Sequence, residues 1–183
     1  KAKEIKSFSI LVLGGSQGAK IFGIIIPEAI KMIKEQGYDV EVIQQCTKEQ
    51  KNSIKSFYNH NNIKSHVFEF EKDTLKLFML SNLAITRCGA STTAELVYTL
   101  TPFIAVPLPT SVDNHQYLNA KYYENKGCCL LLEQDNFNVK NLFNLIMENL
   151  KNKNNLENMC ENMKKNYEKD VYKYIENITE EII

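Results

Sequence analysis

Short apolar runs alternate along this chain with stretches whose apolar residues keep helical spacing, and that alternation constrains its fold more than any other feature. Ser9 to Leu13, Asp39 to Gln44, Val67 to Phe70, Leu83 to Thr86, Pro102 to Val106 and Cys129 to Leu132 read as strands. Between them lie helical stretches: Ala19 to Gln36, Lys48 to Tyr58, Asp73 to Leu80, one opening near Ser91 or Thr92, and His115 to Lys126. Pro27 is expected to kink or restart the first, because it lacks the N–H that a helix interior uses. Gly37 and Gly127 sit where the first and last of these helices should close. Strands joined through helices pair in parallel, so the expected class is α/β: a Rossmann-like, doubly wound parallel sheet of about six strands. Ligands of such sheets bind beyond the C-terminal strand ends.

The 183 residues, 44% of them hydrophobic, are expected to form one domain over 1–183, with an α/β core to about 150 and a C-terminal helical segment over 151–183. The many Asn residues of that segment read as compositional bias. Lys and Arg together number 22 and are balanced by 22 Asp and Glu, so no overall field draws in nucleic acid or an anionic membrane. No apolar run is long enough to span a bilayer. The cysteines Cys46, Cys88, Cys128, Cys129 and Cys160 are odd in number and contain no CxxC pair, which argues against a disulfide framework and a zinc site and implies a reducing, cytoplasmic setting. The first residue is Lys1, and the chain is expected to be a piece of something longer.

Ile85 to Leu100 carries the strongest chemical signal: an apolar strand, a small-residue turn at Gly89-Ala90, then a helix. The free N–H groups at the start of that helix, at the positive end of its dipole, would make an anion site. Alternatively, Thr92 with Glu95 three residues on is a capping box that satisfies those donors itself. Gly14 to Ala19 is a second glycine-rich turn on the same rim, either a tight turn or half of a diphosphate cradle. It has neither dinucleotide-fingerprint nor P-loop spacing, which removes support for hydride transfer and P-loop chemistry. The Glu95 carboxylate suits a ribose diol. Arg87 would either ion-pair structurally or neutralise a phosphate. His115 and Gln116, with Asp113 and Asn114, suit sugar hydroxyls, or else Asp113 or Asn114 simply caps the next helix. His60 and His66 read as surface residues and Cys88 as a small buried one.

GGSQGA at 14–19, TRCGASTTAEL at 86–96, and PLP followed by DNHQYLNA over 107–120 together resemble the C-terminal half of the MurG family, bacterial N-acetylglucosaminyltransferases of peptidoglycan synthesis. The resemblance implies the GT-B architecture, two Rossmann-like domains with the active site between them. It implies that this half binds UDP-N-acetylglucosamine and that an N-terminal domain, absent here, binds the lipid-linked acceptor at the inner membrane face and carries the general base. Transfer to lipid I with inversion would give lipid II, with no cofactor and no protein-bound metal. By resemblance, Ser16 and Gln17 lie at the diphosphate, Ala90, Ser91 and Thr92 donate to phosphate, Glu95 holds the ribose, and His115 and Gln116 meet the sugar. Phe70 and Glu71 match the pair that contacts uracil through backbone. Glu71 and Thr74 stand where the family usually has apolar residues, and Cys46-Thr47 where it has a small residue and glycine. Rival functions are the soluble subunit of a dolichol-pathway N-acetylglucosaminyltransferase, a non-catalytic nucleotide-binding module and, less compatibly, a dehydrogenase.

Overall fold

The computed structural model describes residues 7–15, 19–152 and 154–167. Six strands form one sheet: β1 (Phe8–Leu13), β2 (Val40–Gln45), β3 (Lys64–Phe68), β4 (Leu83–Thr86), β5 (Phe103–Ala105) and β6 (Cys129–Leu131). Helices α1 (Lys20–Glu35), α2 (Lys48–His60), α3 (Thr74–Met79), α4 (Ala90–Tyr98) and α5 (His115–Asn125) connect them in turn, and α6 (Val139–Lys151) follows β6. Every pairing is parallel and the spatial order is β3-β2-β1-β4-β5-β6. Chain order therefore reverses direction at the β1/β4 boundary, the switch point of a doubly wound sheet.

Side-chain alternation along the strands separates two cores. Ile10, Val12, Leu83, Ile85 and Ile104 face α1, α2 and α6, whereas Leu11, Leu13, Ala84, Phe103 and Ala105 face α3, α4 and α5. β4 is buried at all four residues, because it lies mid-sheet with helices on both faces. On the first face, α1 presents Phe22, Ile26, Ile30 and Ile33 at helical spacing against Leu142, Ile146 and Leu150 of α6. Each such side chain contributes about 1.5–3 kcal/mol on burial.

Three expectations need correction. α1 runs unbroken as an assigned helix through Pro27, which lies buried in it. The carbonyl four residues back belongs to Gly23, which has no side chain to crowd the ring further. β3 spans Lys64–Phe68 rather than 67 to 70, since it is an edge strand whose Lys64 and His66 alternate outward, and Glu69 and Phe70 fall beyond its end. α4 starts at Ala90 rather than at Ser91 or Thr92, with Gly89 as N-cap. Beyond α6 the described residues 154–167 are helical again, and the remainder of the expected C-terminal segment, 168–183, lies outside the described residues.

Candidate functional site

At the switch point a cleft of about 520 Å³ opens beyond the C-terminal strand ends, a size suited to a small ligand. β1 contributes Leu13 and the following Gly15, which adopts a left-handed φ of 83°. From β2 comes Gln45, whose Oε1 accepts from the Gly14 N–H at 3.2 Å while its Nε2 donates to the Glu69 carbonyl at 3.3 Å. That side chain ties the exits of β1 and β3 into one floor. Past β3, Phe68 to Glu71 form one wall, with Phe70 74% exposed and available to a flat ligand. Glu71, which lines the cleft, turns its Oε1 to the Lys72 and Asp73 N–H groups at 2.8 and 3.2 Å, so that oxygen is engaged locally.

The opposite wall is the exit of β4. Gly89 caps α4 without any side-chain bond, no acidic residue stands in the first helical turn, and no described residue accepts from the N–H groups of Ala90, Ser91 or Thr92. The capping box is therefore not formed. With Gly89 as N-cap, Thr92 is the third helical residue, and Glu95 accepts instead from the Thr74 hydroxyl at 3.4 Å. Glu95 itself does not line the cleft; its carboxylate is linked to it through the cleft-lining Thr74. Gly89, Ser91 and Thr92 line the cleft themselves, so an N-terminal helix end with unspent donors and a positive dipole opens into it.

Arg87, the only arginine in the chain, is 8% exposed and also lines the cleft. Its Nη1 donates to the carbonyls of Val106 and Pro107, each at 3.1 Å, its Nη2 donates to Gln134 Oε1 at 2.6 Å, and its guanidinium lies 4.9 Å from the Phe22 ring centre. Burial pushes its pKa down. Its hydrogen bonds are structural, yet among the described residues no carboxylate pairs with it, so its charge stays uncompensated beside the cleft. Cys88 is fully buried and its thiol is pushed by burial up to about 12, which leaves it without nucleophilic character at neutral pH.

Gln116 reaches the cleft from α5, and its Oε1 accepts from the Cys88 and Leu108 N–H groups at 3.1 and 3.0 Å. The oxygen is spent on the chain, which leaves the amide N–H₂ for a ligand. His115 is exposed, does not line the cleft, and brings Nδ1 to 2.7 Å from the Val112 carbonyl. Asn114 stands at the N-cap position of α5 but makes no side-chain capping bond; it and Asp113 are left-handed, at φ 55° and 48°. Ser16 and Gln17 lie outside the described residues. Gln45 and Thr74 belong to the site although the motifs did not assign them a role; a polar residue ending a parallel strand was the available signal for Gln45. Among the described residues no group of three His, Cys, Asp or Glu is placed to hold a metal, and no helix is long and apolar enough to cross a membrane.

Fold and cleft together define a doubly wound α/β domain with an anion-ready crevice at its switch point. The chain belongs to glycosyltransferase family 28, as its C-terminal domain, whose family profile matches residues 9–175. A relative from Pelagibacter ubique (strain HTCC1062), named UDP-N-acetylglucosamine--N-acetylmuramyl-(pentapeptide) pyrophosphoryl-undecaprenol N-acetylglucosamine transferase, is 39% identical over 151 residues, 82% of this chain and 42% of the relative. One of the same name from Rickettsia bellii (strain RML369-C) is 38% identical over 180 residues, 97% of this chain and 50% of the relative. The crystal structure of Acinetobacter baumannii MurG superposes with a TM-score of 0.78 at 28% identity, over 89% of this chain and 46% of that one. The resemblance to the MurG family and the expected doubly wound class are thus borne out. UDP-N-acetylglucosamine 2-epimerase from Neisseria meningitidis, solved with UDP-N-acetylglucosamine bound, shares the fold alone, with a TM-score of 0.60 at 13% identity over 86% of this chain and 39% of that one. The chain spans about half the length of the relatives it matches.

Proposed function

We propose that this chain is the donor-binding half of a UDP-N-acetylglucosamine-dependent transferase that glycosylates lipid I to give lipid II, acting at the cytoplasmic face of the membrane. The observation that carries the reading is the uncapped N-terminus of α4 opening on the switch-point cleft. The diphosphate seats on the N–H groups of residues 89 to 92, uracil lies on the Phe70 side, the ribose diol meets Glu95, and the sugar reaches the free amide of Gln116. In the reaction, the acceptor hydroxyl attacks C1 of the sugar from the face opposite the diphosphate. The C1–O bond to the β-phosphate breaks, and the electron pair leaves with UDP. Donors already aimed at the diphosphate stabilise that developing charge without metal or cofactor, and the uncompensated Arg87 charge adds to the field. The proton passes to a base that we place on the acceptor-binding domain outside this chain.

Calorimetric titration with UDP-N-acetylglucosamine, UDP, UDP-glucose and NADH tests the reading. Binding of UDP and UDP-N-acetylglucosamine without NADH is expected. Failure to bind either uridine nucleotide, both alone and after addition of an acceptor-domain partner from a relative, would remove the donor assignment.

A further inference from the structure

We propose that Asn119 is a positioning residue for the anion site, acting through the Cys88–Gly89 peptide; the proposal rests on the donor reading above. β4 ends at Thr86 and α4 begins at Ala90, so residues 87 to 89 bridge sheet and helix without belonging to either. Arg87 N–H is held by the Leu13 carbonyl at 3.3 Å, and the Gly89 carbonyl enters the first turn of α4 by accepting from Thr93 at 3.0 Å. The residue between them is held neither by sheet nor by helix. Instead α5 takes both of its backbone polar groups: Gln116 Oε1 accepts from Cys88 N–H at 3.1 Å, and Asn119 Nδ2 donates to the Cys88 carbonyl at 3.0 Å. Positions 116 and 119 are one turn apart on one helix face, which is what lets two short amide side chains grip a single residue.

The Cys88 carbonyl and the Gly89 N–H belong to one planar trans peptide, so they point in opposite directions. Aiming the carbonyl at Asn119 turns the Gly89 N–H away from α5, and Gly89 lines the cleft. Without the Asn119 bond this peptide plane is free to rotate, and the donors that follow it lose their common direction. Asn119 does not line the cleft, so it acts on a ligand through this peptide alone.

The test uses Asn119→Leu, which keeps the volume and removes the donor, and Asn119→Ala. UDP is titrated by calorimetry and uridine by ligand-observed NMR, with thermal unfolding as a fold control. UDP affinity is expected to fall about 3- to 12-fold, the effect of one neutral hydrogen bond, while uridine affinity stays unchanged, so the gain from the two phosphates shrinks by that factor. A merely structural residue would weaken both ligands together. Unchanged UDP affinity in folded variants, a parallel loss of uridine, or failure of both variants to fold would overturn the positioning role. If the wild-type chain binds no UDP, either alone or with an acceptor-domain partner added, the donor reading fails and the proposal with it.

Discussion

Replacing Glu95 by alanine tests the ribose assignment most directly. The carboxylate sits on the second turn of α4, half-buried, and its one contact to another side chain in the described structure is the long 3.4 Å bond from the Thr74 hydroxyl. That bond orients the group without exhausting it, since a carboxylate has about four lone-pair sites. A ribose diol would add two charge-assisted hydrogen bonds, partly offset by removing the carboxylate from water. With a hydrogen bond to a charged group contributing about 1.5–3 kcal/mol, a net loss of that size for the pair corresponds to roughly a 10- to 150-fold weaker Kd for UDP. Calorimetry with UDP and its 2′,3′-dideoxy analogue separates this from a general defect: Glu95→Ala should weaken UDP and leave the analogue, already lacking the diol, at its wild-type affinity. Thr74→Val should cost a smaller part of the same increment. Unchanged UDP affinity in folded Glu95→Ala, or equal losses for both nucleotides, would refute the ribose role.

Arg87→Met removes the partner of three acceptors, two of them backbone carbonyls at the exit of β5, and urea denaturation should show a loss of about 2–4 kcal/mol. Gly37→Ala and Gly127→Ala both force alanine into a left-handed backbone, at φ 84° and 66°, costing about 1–2 kcal/mol each. Gly127→Ala should cost more in the same assay, because its new methyl would stand 2.6 Å from Asn162 Nδ2, where nothing lies within 4 Å at Gly37. Burial raises the pKa of Tyr58, Cys88 and Cys129 above the ordinary values of 10.0, 9.0 and 9.0. For each, the folded state holds its proton where the unfolded state has lost it, so stability is full below about pH 9 and falls above it. A chemical-denaturation series from pH 7 to 11 should show that one-sided decline, and a flat profile would contradict it.

How far the sequence disclosed this arrangement depended on the distance over which each feature is decided. The alternation of apolar runs and helical spacing is local, and it placed all six strands and the crossovers. The errors fell where tertiary position decides. β3 is an edge strand, so its outward Lys64 and His66 looked like loop while the apolar Phe68 and Phe70 looked like strand. Thr92 and Glu95 have capping-box spacing, but the box fails because Gly89 ends the extended segment three residues earlier than a Thr92 cap would require. The tie from Thr74 to Glu95 spans 21 residues and that from Asn119 to Cys88 spans 31. Nothing local marks either pair, since the first depends on α3 meeting α4 and the second on α5 meeting the turn between β4 and α4.

The departures from local regularity gather at the rim where the strands end. α4 begins on a glycine, which costs only a few tenths of a kcal/mol against a Ser or Asp cap but brings no acceptor of its own. Every side-chain cap would have spent a donor that an anion can use. Phe70 stands almost fully in solvent on the facing wall, and Asp113 and Asn114 are left-handed in succession just before α5, which presents Gln116. Asn138 of α6, by contrast, accepts from Asn141 N–H at 3.0 Å as an ordinary N-cap should. Asp73 caps α3 in the same way, whereas α1, α2, α4 and α5 start without a side-chain cap, and of these it is α4 whose first-turn residues Ser91 and Thr92 line the cleft. An unspent helix end, an exposed ring and an uncompensated arginine charge thus meet around one cleft, and one flat, anionic ligand bound there would engage all three.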